Sequence, residues 1–376
     1  MNQMATTEEL LPDWAISPGE MLTNILDQRN IRQAELAERT GLTSKHVNQI
    51  VKDKAGISGD VAVLLERALD IPIQFWTRLD ADWEAYQGKV RAMERLPEFR
   101  QWADAFDSDT IRRHHVITAA DDEMTRVEKI LKFFQVATPA AFDQKWIQPR
   151  VSFRRSQAFT VQEQNTALWL RLVERAAEQV DVQPLNVKAL RSVARSIPGM
   201  TTLSVTDGFL AARAALAEAG VVLTFVREVP KTRMLAATWW LASDRPVIGI
   251  TERQKRPDTF WFNLLHEIGH VVLHPRRTTF LDIEKAPTDD AEQEANDFAR
   301  TILLPGNSSA EIEKATNRSD LVRLAARLGV GVSIVAGQYA WITKDFSGAN
   351  ALRGTIRPED VDELEALSLV SHEVAD

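Results

Sequence analysis

The sequence contains no cysteine, which excludes disulfide bonds, iron–sulfur clusters, thiolate metal sites and cysteine nucleophiles. A metal bound by this chain must therefore have His, Asp or Glu ligands. No apolar run approaches the ~18–20 residues that cross a bilayer; the longest is Leu235 to Ala242. The first fifteen residues also lack the basic start and apolar stretch of a secretory signal. We therefore expect a cytoplasmic protein without membrane contacts.

Charge is distributed unevenly along the chain. The 376 residues carry a formal net charge of −8, which argues against nonspecific coating of nucleic acid. Of the last twenty residues, seven are acidic and one is basic, so the rest of the chain is nearly neutral. We expect residues 346–376 to form an acidic, solvated C-terminal tail.

Residues 18–70 predict a run of short helices with a helix-turn-helix at its centre. Gln33 to Thr40 and Thr43 to Lys52 are helical segments, Gly41 makes the turn, and small Ala37 permits a close crossing. The polar side chains of this motif suit base edges and phosphates. The candidate DNA-binding residues are Gln33, Ser44, Lys45, His46, Asn48, Gln49 and Lys52.

The charge of this motif is only modestly positive, with five basic and three acidic residues from Arg32 to Lys54. A three-helix unit used only for protein contacts therefore stays open as an alternative. If the motif binds DNA, two half-sites are expected, and with them a homodimer.

The second half of the chain changes in pattern after Pro184. The run VVLTFV predicts a strand, and residues 236–242 and 246–251 predict a β-hairpin. Long helices are expected from about Pro257 to Leu273 and from Asp289 to Leu303. The expected fold class is mainly α with a small β-sheet (α+β).

The first of these long helices contains His-Glu-Ile-Gly-His at residues 266–270. Positions i and i+4 share one helix face, so His266 and His270 can bind one metal ion. Glu267 can then take a proton from a metal-bound water, whose pKa the metal lowers toward neutrality. This predicts Glu267 as the catalytic residue.

A third ligand is needed, and Glu292 on the second long helix is the better candidate. Asn296, four residues further on, shares its face and could orient a ligand. Glu294 is the competitor, but it points about 200° away around the helix. His274 lies ~12 Å along the helix from His266, too far to share one ion. For a donor to the oxyanion, Tyr339 and His274 both stay open.

The motifs HEIGHVVLH and EQEANDFARTILLP resemble the ImmA/IrrE family of zinc metallopeptidases. The resemblance implies Zn²⁺ as cofactor, held by His266, His270 and Glu292, and cleavage of helix-turn-helix repressors. In such zincin-like folds the strand nearest the active helix, here Pro246 to Thr251, can take an extended peptide by β-augmentation.

The N-terminal run, from SPGEML through IPIQFW, resembles the HigA-like subgroup of XRE repressors, and the middle of the chain resembles the connector between such domains. The expected organisation is a helix-turn-helix domain (1–88), a helical connector (89–185), a zincin-like metallopeptidase domain (186–345) and the acidic tail (346–376).

The expected function is that of a DNA-binding regulator with a zinc-dependent endopeptidase domain, whose substrate is a repressor or another regulatory protein. The alternative is an antitoxin-like transcriptional repressor whose zincin-like domain binds or senses without turnover. Self-cleavage between the domains is a third hypothesis.

Overall fold

The computed structural model describes residues 16–147, 162–242, 244–274, 280–283, 290–304 and 306–369. The chain divides into two compact units, Met1–Arg100 and Gln101–Asp376. Both are mainly helical, and the second contains a small mixed sheet, which confirms the predicted fold class. None of the described helices is long and apolar enough to cross a membrane.

The first unit contains the predicted helix-turn-helix. Its helices are α1 (Pro18–Gln28), α2 (Gln33–Thr40), α3 (Ser44–Val51), α4 (Gly59–Leu69) and α5 (Ile73–Arg95). Gly41 ends α2 at φ 74°, a left-handed conformation that favours glycine. The Thr43 side chain then caps α3 by accepting a hydrogen bond from the His46 backbone amide. These local signals explain why the sequence predicted both helices so closely.

Contacts of Asp53, just after α3, fix α1 against the motif. The Asp53 carboxylate accepts hydrogen bonds from the Ser17 hydroxyl and the Gly19 amide, at 2.5 and 2.8 Å. Glycine is required at position 19, since a Cβ there would lie 2.5 Å from the Ile50 carbonyl oxygen. The close approach buries a common apolar core around Leu22, Leu36 and Val47.

The second unit begins with helices from the middle of the chain and ends with helices from its C-terminal part. The earlier helices are α6 (Arg100–Asp104), α7 (Ser108–Arg113), α8 (Glu123–Phe134), α9 (Pro139–Phe142), α10 (Glu163–Glu178), α11 (Val187–Met200) and α12 (Val205–Glu218). The later helices are α13 (Pro257–Leu273), α14 (Asp290–Leu303), α15 (Ser308–Glu313), α16 (Arg318–Leu328), α17 (Val332–Thr343), α18 (Phe346–Arg353) and α19 (Pro358–Leu369).

Four strands form the sheet in the order β1-β3-β2-β4. They are β1 (Val222–Phe225), β2 (Met234–Ala242), β3 (Arg245–Ile250) and β4 (Phe280–Ile283). β1 pairs parallel with β3, whereas β2 pairs antiparallel with both β3 and β4. The predicted hairpin is confirmed as β2–β3. Because β3 has neighbours on both sides, it cannot add a peptide strand, and the predicted β-augmentation at Pro246 to Thr251 was wrong.

Helices cover both faces of this sheet. On one face, Gly249 lies against Val173 and Trp169 of α10. The Trp169 indole also donates a hydrogen bond to the Val226 carbonyl. Ile248, adjacent to Gly249, points to the opposite face because side chains alternate along a strand. There it joins a core shared with α13.

The predicted domain boundaries differ from the divisions of the structure. The boundary at 88/89 falls inside α5, a continuous helix that ends at Arg95. The boundary at 185/186 falls inside the second unit. The physical reason is the packing of α10 on the sheet, which joins the predicted connector to the predicted metallopeptidase domain.

Residues 346–369 form two helices instead of the predicted solvated tail. Val361 and Leu364 are buried in the core of the second unit. Asp362 and Glu365 form ion pairs with Arg227, at 2.5 and 3.0 Å. The abundance of acidic residues concealed this apolar face in the sequence. Residues 370–376 lie outside the described residues.

We expect Leu364→Ala to destabilise the chain by about 2–5 kcal/mol, since truncating a buried leucine leaves a cavity. Glu363→Ala, one position away on the exposed face, is the matched control and should change stability by less than about 0.5 kcal/mol. Urea unfolding followed by circular dichroism measures both. Equal stability of the two variants would show that α19 is not part of the core.

Candidate metal centre and helix-turn-helix surface

Three of the predicted site residues lie in one helix of the second unit, α13, most of whose residues are buried. His266, Glu267 and His270 are all buried in α13, and Glu267 has no exposed surface. The neighbouring Leu264, Leu265 and Ile268 pack into the core. Since burying two imidazoles and a carboxylate in apolar surroundings is costly, a common polar function for the three side chains is expected.

His266, His270 and Glu292 converge on one point. Their ligand atoms all lie within 4.8 Å of one another. The His266 and His270 Nε2 atoms are 2.9 Å apart, and Glu292 oxygens lie 3.1 and 3.5 Å from them, respectively. A tetrahedral zinc ion with ~2.1 Å bonds would separate its ligand atoms by about 3.4 Å. Two imidazoles and a carboxylate also form a donor set typical of catalytic zinc, so the residues fit this metal.

Small residues allow the two helices that carry these side chains to come close. A Cβ at Gly269 would lie 3.2 Å from the Ala295 Cα and 3.2 Å from a ring carbon of Phe298. A larger residue at 269 would therefore push α14 away. The close crossing brings Glu292 on α14 within reach of the histidines on α13.

Protonation in this cluster favours metal binding. Burial lowers the pKa of His270, which keeps its imidazole neutral and able to donate a lone pair. Burial raises the pKa of Glu292, but its close contacts with the His266 and His270 rings outweigh burial and lower that pKa to about 2. Glu292 is therefore a carboxylate at neutral pH.

Both histidines have a partner on the ring nitrogen that faces away from the cluster. His266 Nδ1 donates to Asn296 Oδ1 at 3.2 Å, as predicted for Asn296. His270 Nδ1 lies 2.9 Å from His274 Nδ1, and His274 Nε2 lies 3.2 Å from Glu294 Oε2. Such contacts leave each Nε2 as the lone-pair donor and fix the ring orientation.

The structure separates the two candidates for the third ligand. Glu294 contacts His274, whereas Glu292 contacts His266 and His270. The pairing of His274 with Glu294 was missed by sequence reasoning. A signal for it was the end of α13 at Leu273, which frees His274 to turn toward α14.

The two open candidates for an oxyanion donor differ in their surroundings. His274 is occupied with His270 and Glu294. Tyr339 is half-buried against the apolar core, and its backbone carbonyl accepts a hydrogen bond from Thr343. Neither contact assigns an oxyanion donor.

The candidate DNA-binding residues lie on α2, on α3 and at the end of α3, and they differ in how far they are exposed to solvent. Ser44, Lys45 and Lys52 are exposed, whereas Gln33, His46, Asn48 and Gln49 are half-buried. The Asn48 amide donates to Gln33 Oε1 at 3.3 Å, which links the two helices. Because Lys45 and Lys52 are exposed, both cations face solvent.

Comparisons with known protein families match both units. Residues 220–337 match the peptidase family described as the IrrE N-terminal-like domain, and residues 22–76 match the helix-turn-helix family. The chain combines a helix-turn-helix domain with an IrrE-like domain. The metal-binding candidates lie within the IrrE-like match, and all the DNA-binding candidates lie within the helix-turn-helix match. No curated protein matches the chain.

Two solved structures are similar to a short part of the chain. The Pseudomonas aeruginosa antitoxin HigA, solved with the higBA promoter, is 31% identical, with 22% of this chain and 91% of that chain covered and a TM-score of 0.21. A Nostoc punctiforme protein, described as a putative antidote protein of a plasmid maintenance system, is 28% identical. The match covers 22% of this chain and 93% of that chain, with a TM-score of 0.20.

If Glu292 is the third ligand of a zinc site in the IrrE-like domain, we expect the wild type to hold about one zinc ion per chain and Glu292→Ala to lose it. Gln293→Ala, an exposed position one residue away on the same helix, is the matched control and should keep its zinc. Elemental analysis after dialysis against a weak chelator measures both. Zinc retained by Glu292→Ala, or lost equally from both variants, would contradict this assignment.

Proposed function

We propose that the IrrE-like domain is a zinc-dependent endopeptidase. The convergence of His266, His270 and Glu292 carries this proposal, and the match to a peptidase family supports it. When bound, zinc supplies a Lewis acid that polarises a carbonyl and lowers the pKa of water. The substrate we propose is a repressor or another regulatory protein.

In this proposal the residues of α13 and α14 have separate tasks. His266, His270 and Glu292 hold the metal, while Asn296 keeps the His266 ring in the orientation that directs its Nε2 to the site. Glu267 is the general base, which takes a proton from the attacking water and passes it to the nitrogen of the leaving amine. Its burial supports this task, because a carboxylate shielded from bulk water interacts more strongly with nearby charge.

We predict that Glu267→Gln keeps zinc and fold but hydrolyses peptides about 10²–10⁴-fold more slowly, since the amide cannot accept the proton. Glu313→Gln, an exposed position on α15, is the control and should hydrolyse at the wild-type rate. The rates are measured by mass spectrometry on a random peptide library, beside zinc content. Hydrolysis by Glu267→Gln at the wild-type rate would refute this role. If zinc-loaded wild type cleaves nothing, a site that binds or senses without turnover is favoured.

We further propose that the N-terminal domain binds DNA through α3. Its exposed lysines and the Gln33–Asn48 pair support this reading, as does the family match. Helix-turn-helix proteins place the N-terminal part of the second helix against base edges, while flanking side chains contact phosphates. We assign Ser44 and Asn48 to base readout and Lys45 and Lys52 to phosphate contact. A homodimer that reads two half-sites is part of this proposal.

We expect Lys45→Ala to weaken binding of all duplex sequences and to reduce the salt slope by about one, because one phosphate contact is lost. Asn48→Ala should instead relax the preference at one base pair, by about 1–3 kcal/mol. Selection from random duplexes followed by titration at several salt concentrations measures both effects. The exposed Lys188→Ala in the other unit is the control. If Lys45→Ala behaves like Lys188→Ala, α3 is not the DNA-binding surface.

A further inference from the structure

A cavity of about 310 Å³ lies in the second unit beside the candidate metal centre. It opens to solvent on one side and is lined by the first half of α13, the second half of α14, Ser309 of α15, helix α17 and the end of α18. This volume is at the small end of the ~300–1,000 Å³ range of ligand pockets. The cavity therefore suits a single side chain better than a folded segment.

The cavity lies in the same groove between α13 and α14 as the metal ligands. Phe262, which lines it, precedes His266 by four residues, and Asn296 and Arg300 follow Glu292 by four and eight residues. Residues spaced by four share one face of a helix, so these side chains extend the stripe that holds the ligands. Contact is direct, because Asn296 both lines the cavity and accepts a hydrogen bond from His266.

The distance from the metal centre follows from this spacing. Four residues of α14 correspond to about 6 Å along the helix axis. An extended polypeptide advances ~3.3 Å per residue. If a substrate peptide places one residue at the metal centre, the side chain that enters the cavity therefore belongs to a residue about two positions away along the peptide.

Most of the surface inside the cavity is apolar, although the polar side chains of Thr259, Asn296, Ser309 and Gln338 also line it. Leu303, Leu304, Ile334 and Trp341 supply apolar wall. The two guanidinium groups have carboxylate partners: Arg353 lies 2.7 Å from Asp258 and Arg300 lies 3.0 Å from Asp297. A charged side chain entering the cavity would lose its hydration, and the half-buried Arg353 and Asp258 already neutralise each other. An apolar side chain instead gains free energy by leaving water.

We propose that this cavity binds a large, neutral apolar side chain of the substrate, such as Leu, Met or Phe, about two residues from the cleaved bond. This inference rests on the proposed peptidase function and adds to it a preference for one class of residue. A charged or small residue at that position would be disfavoured.

Binding is tested without turnover on zinc-loaded, full-length Glu267→Gln. The probes are N-acetyl-leucine amide, N-acetyl-alanine amide and N-acetyl-aspartate amide, titrated by ligand-observed NMR. We expect the leucine amide to bind at least about tenfold more tightly than the other two, since burial of its additional carbons favours it. Equal affinities of the three amides would overturn the inference.

Two variants that fill the cavity locate the binding. Leu304→Trp places an indole inside it, and Ser309→Trp does so from the exposed rim, where folding is least affected. Both should weaken leucine amide binding at least about tenfold. Leu203→Trp is the control, because Leu203 is 51% exposed and does not line the cavity. Wild-type affinity in both cavity variants, with folding checked by circular dichroism, would contradict this location.

Cleavage of a random peptide library separates this inference from the peptidase proposal. In wild type, cleaved peptides should carry a large apolar residue at one fixed position near the cut, and Leu304→Trp should shift that preference toward alanine or glycine. Cleavage without this preference would overturn the cavity's assignment and leave the peptidase proposal standing. Tight leucine amide binding without any cleavage would refute the peptidase proposal, and with it the cavity's role in substrate binding.

Discussion

The close crossing of α13 and α14 is the constraint on which the candidate metal centre depends. Gly269 and Ala295 leave so little space between the helices that a Cβ on the glycine would press on α14. At this separation a glutamate on one helix can meet two histidines on the other. Apolar packing against β2 and β3 holds α13, one of the two crossing helices, in place. A wider spacing would leave two buried imidazoles without their carboxylate.

Elements with strong local signals could be predicted from the sequence. The capping Thr43 and the glycine turn at Gly41 set α2 and α3 within one or two residues, and the His266–His270 spacing placed both rings on one face. Glu292 was favoured over Glu294 by helix geometry alone. Each of these inferences needs only the 3.6-residue period and the chemistry of nearby side chains.

Features that depend on distant contacts could not be predicted. The acidic composition of the C-terminal segment suggested a tail, yet Val361 and Leu364 pack α19 into the core, while Arg227 neutralises two of its acids. The strand order places β3 inside the sheet, which the hairpin alone does not reveal. Likewise, the pairing of His274 with Glu294 requires α13 and α14 to lie side by side.

The most direct test of the account is the position of bound zinc. Crystals of the full-length, zinc-loaded chain would be measured at the zinc absorption edge, and the anomalous difference map would be calculated. The account predicts a single strong peak about 2.0–2.2 Å from His266 Nε2, His270 Nε2 and a Glu292 oxygen. A peak between His274 and Glu294, or no peak at the three-residue cluster, would contradict it.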